Sequence, residues 1–571
     1  MLKEKSKKIE YHILLTIVFI ILSLIFVLPF AKMNTIFSGD DMYYHLQRIN
    51  ELINNFRNGN FFIGIYTNTF EKIGYPLNLF YPWITLIPFV AFSIFIKSQA
   101  LAIYLGISFF TFLTLIFTYW TTKKYSKNSI QSVITAIMYS FCSYRTIDIF
   151  ARFALGEYIA LTFLPLCIYG LYSVVHGNYR DWPFLAFGMS FVLLSHVLST
   201  YIYAIFLVVL FMLCLFNPVN DKLKRLIALI KAIIVSIASS AIFLFPFLEQ
   251  ILFQKFRQPG KVEMSDLALI PSKLVEASIN NTLGRNVSGN TYNIGFILLV
   301  VIILGIIFYS KFKLDYKIIF MLAIIFLIAT TTLLPWSQIE KTSISVIQFP
   351  WRFLGISSYL LSIVGGYEYT LITRNKKKIS FLTIGIVLIL IPWYSGISNM
   401  KRDIVNPEQY VNYHYIVLKG NRFTYSHEVG NNLKNQFYLD QYSPKNGLSS
   451  LSDVINHNAL VNGKVVNLDK MNSNSANKLE FYSNKFKNSR NIILPMYMYR
   501  NLYAINGNGQ KLTISTNKDS RIKINNTFGS NKIIIQYKLS KIDIFSIILS
   551  VVTWALGIFL FIKNSFIKFR S

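Results

Sequence analysis

The stretch YHILLTIVFIILSLIFVLPFAKMNTIFSGDDMYYHLQRI, residues 11–49, joins a long apolar run directly to a segment rich in charged side chains. Residues 11–31 are long enough to cross the roughly 30 Å hydrocarbon core of a bilayer as a helix. They are too long and too apolar for a cleaved signal peptide, and no small-residue cleavage site follows them. The run therefore predicts a transmembrane helix that stays in the protein, with charged groups at its membrane exit.

The composition of the whole chain indicates a polytopic membrane protein. Of 571 residues, 53% are hydrophobic and only 14% are charged, unlike an average soluble domain. The three cysteines lie inside apolar runs, which predicts neither a disulfide framework nor a metal site. The net charge of +30 falls largely in short loops between apolar runs, where lysine and arginine mark the cytoplasmic side. This distribution argues against nucleic-acid binding and for a multi-pass membrane protein. The richness in Lys, Asn and Ile is typical of an AT-biased bacterial genome, so the membrane is expected to be a bacterial plasma membrane.

Basic clusters predict the path of the chain through the membrane. If every cluster is cytoplasmic, consecutive clusters must be an even number of crossings apart. The segment 77–97 is then an interfacial or re-entrant element on the outer side, because three crossings before the cluster TKKYSK (122–127) would break this parity. Both termini are expected in the cytoplasm. The twelve predicted spans are 11–31, 100–121, 129–143, 157–175, 183–197, 199–216, 225–246, 292–310, 316–334, 352–372, 379–397 and 542–562.

This path divides the chain into three predicted parts. Residues 1–397 form an α-helical transmembrane module, 398–541 a small extracytoplasmic domain, and 542–571 a last transmembrane helix with a basic cytoplasmic tail. Runs such as KLTIS and NKIIIQYK between turn signals predict that the domain is mostly antiparallel β. Its 20 Lys and Arg against 8 Asp and Glu suit contact with anionic lipid or wall polymer, or reflect the lysine-rich composition of the chain. The predicted outer loops of the module are 32–99, 144–156, 247–291 and 335–351.

The first candidate site follows the first span. Asp40 and Asp41 precede a predicted amphipathic helix whose apolar side chains lie at helical spacing, with Asp41, His45 and Arg48 on the opposite side. Such a helix would lie in the interface plane. One aspartate can cap the helix. The other is then left to act as a general base, or to hold a cation together with His45.

A second polar cluster lies on the predicted outer face. Arg145, Asp148, Arg152 and Glu157 occur within thirteen residues, and Glu157 opens an apolar span. An acidic residue at that depth is costly and indicates function. Arg152 is its natural partner, and the alternative is that the two form a structural pair that fixes the loop.

Other polar residues are predicted at the outer ends of spans. Gln348, Trp351 and Arg352 occur in ISVIQFPWRFLG (344–355), where Arg352 could hold a phosphate and Trp351 could equally anchor the helix at the interface. His196 and Glu249 lie at two further span ends, and His196 could equally serve packing. No P-loop and no glycine-rich nucleotide fingerprint occurs. A transferase on the outer face would therefore need a membrane-carried donor.

The sequence resembles a known superfamily. GDDMYYHLQRI (39–49), GYPLNLFYPW (74–83), RFALGEYIALTFLPL (152–166) and QFPWRFL (348–354) are similar to GT-C fold glycosyltransferases, in particular to the bacterial YfhO-like branch that is also labelled pyruvoyl-tetrahydropterin synthase-related. The resemblance covers about residues 10–370. It implies a catalytic base at Asp40 or Asp41 and a second acidic site residue at Asp148 or Glu157.

These observations together predict a GT-C-like membrane enzyme. It would transfer a sugar from a polyprenyl-phosphate carrier to an envelope glycan, a teichoic-acid-type polymer or a lipid, with Asp41 as the base and Arg152 and Arg352 on the lipid phosphate. A divalent cation is an open alternative for a cofactor. The competing hypotheses are a transporter or flippase for lipid-linked sugars, and a non-catalytic scaffold for envelope assembly.

Overall fold

A computed structural model describes residues 2–33, 35–37, 39–214, 219–258, 260, 262–284, 292–373, 379–405, 415–419, 422–425 and 439–570. The chain forms two compact units. The first unit comprises 1–43, 91–233 and 261–429, and the second comprises 44–90, 234–260 and 430–571.

The described part of the chain is mostly helical. In chain order the helices are α1 (Leu2–Ala31), α2 (Met42–Arg57), α3 (Leu77–Phe80), α4 (Ile87–Phe95), α5 (Gln99–Ser126), α6 (Ser129–Ser140), α7 (Ser143–Thr146), α8 (Leu155–Val175), α9 (Pro183–Leu193), α10 (Val197–Cys214), α11 (Lys222–Ser239), α12 (Ala241–Phe253), α13 (Met264–Leu267), α14 (Pro271–Ile279), α15 (Phe296–Phe308), α16 (Leu314–Ile328), α17 (Trp336–Ile339), α18 (Leu354–Ile372), α19 (Ile379–Val405), α20 (Leu451–Ile455) and α21 (Lys541–Arg570).

Three antiparallel sheets accompany these helices. In the first unit, β1 (Thr35–Phe37) pairs with β2 (Tyr415–Lys419), which pairs with β3 (Arg422–Tyr425). The second unit holds two five-stranded sheets, ordered β10-β9-β13-β7-β6 and β11-β12-β8-β4-β5. Their strands are β4 (Asn458–Val461), β5 (Lys464–Asn467), β6 (Lys470–Ser475), β7 (Lys478–Tyr482), β8 (Ile492–Tyr497), β9 (Leu502–Asn506), β10 (Lys511–Leu512), β11 (Ile514–Thr516), β12 (Arg521–Ile524) and β13 (Lys532–Tyr537).

The predicted C-terminal β domain is confirmed, with differences at its start. Helix α19 continues through Val405, beyond the predicted boundary at 398. Strands β2 and β3 belong to the first unit, because β2 pairs with β1 near the exit of α1. The strands of the two five-stranded sheets therefore occupy 458–537, a shorter part of the predicted domain.

Several helices are suited to a membrane. Within the described residues, five are long and apolar enough to cross it: Ile9–Ala31, Gln99–Ser126, Leu155–Val175, Ser380–Arg402 and Lys541–Ile562. The pair α11 and α12, bent by 72°, adds a sixth if it counts as one span. Helices α6 and α9 have only 12 and 11 residues, about 18 and 16 Å, which is too short for a simple crossing. The count of twelve crossings stays a prediction.

Two local features of the predicted path are present. The predicted spans 183–197 and 199–216 are two separate helices, α9 and α10, with a break at residues 194–196. The segment 77–97 is divided into α3, a 3₁₀ turn (Ile84–Leu86) and α4. Its prolines explain the breaks, because proline removes a backbone donor and clashes inside a helix.

Helix α5 offers a test of the predicted topology. Lys97 precedes the helix and Lys127 ends it, and both side chains are exposed. In intact cells, Lys97→Cys should react with a membrane-impermeant maleimide, whereas Lys127→Cys should react only after the membrane is opened. Cys142 and Cys167 are buried, which limits background labelling. Labelling of Lys127→Cys from outside would contradict the parity argument.

Helix α8 lies at the centre of the first unit, because 94% of its apolar window is buried within the protein. Hydroxyl pairs join it to α5: Thr111 and Tyr158 approach to 2.7 Å, and Thr114 donates to Thr162 at 3.0 Å. Gly170 permits close contact with α9, since an added Cβ would lie 2.2 Å from the backbone nitrogen of Leu185. This packing fixes the N-terminal end of α8, where Glu157 lies.

Helix α2 differs from the predicted interfacial helix. Its apolar side is buried, but so are His45, Arg48 and Glu51 on other sides, at 2%, 1% and 0% exposure. Glu51 is the centre of a local network. Its carboxylate accepts six hydrogen bonds at 2.9–3.1 Å, from the side chain of Asn55 and from backbone and side-chain groups of residues 67–69. The polar side of α2 therefore serves to fix the loop that follows it.

Removing this carboxylate should destabilise the second unit. Glu51→Ala leaves three backbone N–H groups without their acceptor, and each such group costs about 1–3 kcal/mol when buried. We expect the free energy of unfolding of the purified protein to fall by about 3 kcal/mol or more. Asn54→Ala, an exposed position on the same helix, should change it by less than about 0.5 kcal/mol. Equal effects of the two variants would contradict the role of Glu51.

Candidate functional site

The candidate site is built around the connection between α7 and α8. After α7 the backbone widens into a π-helical turn (Ile147–Ala151) and then leaves the helical path, with Phe153 at a positive φ of 54°. The backbone nitrogen of Ala154 donates to the carbonyl of Asp148 at 2.9 Å, which closes the connection. Such π-turns recur at functional sites. This one brings Asp148 and Arg152 beside Glu157 in the first turn of α8.

Glu157 is the centre of the cluster. Its Oε1 accepts a hydrogen bond from the Tyr144 hydroxyl at 2.5 Å, and its Oε2 accepts from Arg152 Nη1 at 3.1 Å and from Arg352 Nε at 3.3 Å. The residue is 4% exposed. Three donors occupy this carboxylate, so its clearest role is to position two guanidinium groups. The predicted pairing of Arg152 with Glu157 is present.

Arg352 reaches the cluster from the turn before α18. Its Nη1 donates to the carbonyl oxygen of Ile347 at 2.6 Å and to Gln348 Oε1 at 3.1 Å, and Gln348 has a positive φ of 65°. The guanidinium also lies over the Phe349 ring, 4.7 Å from its centroid. Contacts within its own turn therefore hold the Arg352 side chain in place, with its guanidinium group directed toward Glu157.

Asp148 holds the other side of Arg152. Its Oδ1 accepts from Arg152 Nη1 at 2.5 Å, and its Oδ2 is buried without a partner in the described part of the chain. Burial, together with the nearby Glu157 carboxylate, raises the pKa of Asp148 well above its usual range. Asp148 and Glu157 therefore both contact the same guanidinium nitrogen of Arg152.

Asp41 reaches this cluster through its backbone. Its N–H donates to the carbonyl oxygen of Arg152 at 3.0 Å. Gly39 makes the approach possible, because an added Cβ would lie 2.3 Å from the carbonyl carbon of Arg152. Helix α2 begins at Met42, so Asp41 precedes the regular helix, contrary to the prediction that it shares a helical stripe with His45 and Arg48. Asp40 lies one residue earlier and is partly buried.

The carboxylate of Asp41 differs from those of Asp148 and Glu157 in its contacts. Among the described residues it has no hydrogen-bond or ion-pair partner, so it does not cap α2 there. Burial raises the pKa of Asp41, while Arg152 and Arg352 act in the opposite direction and Glu157 adds to the rise. A carboxylate with a raised pKa is a stronger base than an ordinary aspartate, and its side chain is partly accessible.

Aromatic rings line the arginine side of the cluster. Trp351 stacks between Tyr292, at 4.1 Å, and Phe349, at 4.5 Å between ring centroids. The Arg152 guanidinium lies 5.8 Å from the centroid of Tyr292. Trp351 is 7% exposed, so it packs inside the protein and does not form an exposed interfacial belt. Trp351 Nε1 and Arg152 Nε are buried donors without partners in the described residues.

The structure separates the remaining predicted residues into three groups. His196 bonds Ser199 through Nδ1 at 2.8 Å and interacts electrostatically with Glu157, so it borders the cluster. Arg145 points elsewhere: its Nη2 donates to Thr114 at 2.9 Å, and its guanidinium lies over the Tyr158 ring at 4.6 Å. It is buried among helices of the first unit, not beside Arg152.

The last group belongs to the second unit and makes local contacts there. Arg48 donates to the Pro82 carbonyl at 2.5 Å, lies 4.0 Å from the Tyr81 ring centroid and approaches His45 Nδ1 to 3.3 Å. Glu249 Oε2 accepts from Asn501 and Ser540 at 2.7 and 3.1 Å. Glu249 therefore joins α12 to the segments around β9 and α21, so its contacts are those of a structural support within the unit.

Tyr144, Tyr292 and Gly39 contribute to the site but were not among the predicted residues. Tyr144 lies within the polar segment, yet a tyrosine beside arginines gives no distinct signal. Tyr292 directly follows the predicted loop 247–291. In the described ranges, no group of three His, Cys, Asp or Glu side chains could hold a metal ion.

No protein-family model and no curated protein sequence matches the chain. Among solved structures, a single-particle cryo-EM structure of the arabinofuranosyltransferase AftD from mycobacteria resembles it at a TM-score of 0.41 and 11% sequence identity. The aligned region covers 68% of this chain and 26% of that chain, so the chain spans about a quarter of that protein. A likeness of this size assigns neither family nor activity, and the interpretation of the site rests on its own geometry.

Proposed function

We propose that the chain is an extracytoplasmic glycosyltransferase of GT-C type, which transfers a sugar from a polyprenyl-phosphate carrier to an acceptor of the cell envelope. The observation that carries this proposal is one cluster with two buried arginines fixed on Glu157 and a separate, unpartnered carboxylate at Asp41. The sequence resemblance to GT-C enzymes supports the same roles. Sugar transfer from a lipid phosphate needs a base and a cationic site for the leaving group, and the cluster offers both.

Asp41 is the proposed base. It takes the proton of an acceptor hydroxyl, and the resulting oxygen nucleophile forms a bond to the anomeric carbon of the sugar. The bond between that carbon and the phosphate oxygen breaks, and the electron pair leaves with the lipid phosphate. The raised pKa of Asp41 favours the first step, since the carboxylate then binds a proton more readily.

Arg152 and Arg352 are the proposed phosphate ligands. Guanidinium groups match phosphate oxygens, and fixed cations stabilise the charge that develops on the leaving group. Arg152 Nε and Trp351 Nε1 supply buried donors that the described residues leave without partners.

Deletion of the gene tests the proposal in the cell. We expect loss of one sugar component from an envelope glycan, polymer or lipid, restored by the wild-type gene but not by Asp41→Asn at equal protein level. Unchanged sugar composition of every envelope fraction in the deletion strain would argue against the proposal.

The pH dependence of transfer should report Asp41. A base works only when deprotonated, so kcat/KM should fall as the pH drops through the pKa of Asp41, which lies above the usual value of about 3.9 for aspartate. In Asp41→Glu the acidic limb of the pH profile, over which kcat/KM falls, should shift to a different pH. In Asp41→Asn the residual activity should show no acidic limb. The measurement is the pH profile of kcat/KM in detergent, and an acidic limb that is identical in all three proteins would exclude Asp41 as its source.

A further inference from the structure

A cavity of about 230 Å³ lies within the first unit, away from the candidate site. Five helices form its wall: α5, α8, α10, α16 and α18. On α8 the cavity is lined by Ile168, Tyr169 and Tyr172, whereas Glu157 lies in the first turn of the same helix. Fifteen residues separate Glu157 from Tyr172, about 22 Å along the helix axis. The cavity is therefore a separate feature at the other end of α8.

The cavity is amphipathic along the helix direction. Four polar lining residues lie near helix ends, at the end of α5, just after α8 and on the first turn of α16: Thr122, Tyr125, His176 and Asp315. The hydroxyl-bearing residues Thr121, Tyr169, Tyr172 and Tyr359 also line the cavity. Its apolar lining residues lie further inside, among them Phe206, Leu322 and Leu360, which are 8% exposed or less. From Asp315 to Leu322 the cavity extends about 10 Å along α16.

Two buried polar atoms at the polar end, a hydroxyl and an imidazole nitrogen, have no partner in the described residues. Thr122 is 3% exposed and its Oγ1 is unpartnered, and His176 Nε2 is a second buried atom of this kind. Buried polar groups normally find a partner. A ligand with acceptor oxygens at this depth would satisfy both.

The surroundings of the polar end are basic. Segments 121–127, 176–182 and 309–317 carry seven Lys or Arg against two Asp. One of the two aspartates, Asp181, is already neutralised, since it pairs with Lys124 at 2.9 Å and accepts from the Tyr169 hydroxyl at 2.7 Å. The other, Asp315, lines the cavity, whereas none of the seven basic side chains does. The positive charge therefore lies in the loop segments around the polar end and favours an anionic group there, outside the lining.

From these observations we infer that the cavity binds one hydrocarbon chain of an anionic phospholipid, with its ester oxygens at Thr122 and His176 and its phosphate toward the basic segments. The lipid comes from the leaflet on the side of the basic loops, opposite to the side on which the candidate site is proposed. An apolar wall suits an acyl chain, the unpartnered hydroxyl and imidazole nitrogen suit ester oxygens, and the lysines suit the negative charge. This inference does not depend on the proposed glycosyltransferase activity.

Native mass spectrometry of the purified full-length chain tests the inference. After delipidation, titration with phosphatidylglycerol should give one tightly bound lipid per chain, and phosphatidylcholine should bind about tenfold more weakly. Ile319→Trp, which fills the cavity, should weaken phosphatidylglycerol binding by about tenfold or more. Met321→Trp, an exposed position on the same helix outside the cavity, should bind like the wild type.

A second measurement uses only the wild-type protein. Phosphatidylglycerol with a diazirine in one acyl chain should form photo-adducts on cavity residues of α8, α16 and α18. Absence of a retained lipid, equal affinity for the two phospholipids, equal binding by Ile319→Trp, or adducts confined to residues outside the cavity would each overturn the inference.

Discussion

Asp41→Asn should reduce sugar transfer by about 10²–10⁴-fold while the protein stays folded in the membrane. The amide keeps the shape of the carboxylate but cannot accept the proton of the acceptor hydroxyl. Because the Asp41 side chain has no hydrogen-bond partner in the described residues, little stability depends on its charge. The measurement is kcat for transfer from a polyprenyl-phosphate sugar by purified protein, with the melting temperature as a check on folding.

Asp40→Asn is the matched control. Asp40 is adjacent and also carries a carboxylate, but Asp41 and not Asp40 makes the backbone contact with Arg152. Asparagine also caps helices well, so a capping role of Asp40 would survive the substitution. We expect a milder loss of activity than for Asp41→Asn. If Asp40→Asn is inactive and Asp41→Asn retains near-normal activity, the two roles are assigned the wrong way round.

Glu157→Ala should have the largest effect on stability. The substitution leaves Arg152 and Arg352 buried without the carboxylate that both contact, and loss of one member of a buried ion pair typically costs about 3–5 kcal/mol. We expect the free energy of unfolding in detergent to fall by this amount, with loss of any transfer activity.

Tyr144→Phe is the control for this substitution. It removes one hydrogen bond to Glu157 and keeps the aromatic ring and both ion pairs. We expect a loss of about 1.5 kcal/mol, clearly smaller than for Glu157→Ala. Equal destabilisation by the two variants would mean that Glu157 acts through Tyr144 and not as the partner of the arginines.

The sequence predicted those features that depend on local pattern. The first apolar helix, the strands of the C-terminal domain and the break at 194–196 follow from hydropathy, alternation and turn residues. The pairing of Arg152 with Glu157 could also be predicted, because the two residues are close in sequence and a carboxylate at a span end needs a partner.

Other features depend on contacts distant in sequence. Helix α2 has the amphipathic pattern of an interfacial helix. Its polar side is nevertheless buried, because residues 67–69 donate hydrogen bonds to the Glu51 carboxylate. Arg145 lies in the same polar segment as Arg152, yet the helical turn of α7 directs it to Thr114 and Tyr158. Arg352 and Glu157 are 195 residues apart in the chain. The sequence alone could predict each as a site residue, but it could not predict their contact.

Purified protein supplied with a panel of labelled polyprenyl-phosphate sugars and an extract of envelope acceptors tests the central claim most directly. The account predicts release of free polyprenyl phosphate in step with transfer of the sugar to an acceptor, for at least one donor, and its loss in Asp41→Asn. Movement of intact lipid-linked sugar across vesicles without release of lipid phosphate, or no turnover of any donor by protein that is folded, would contradict it.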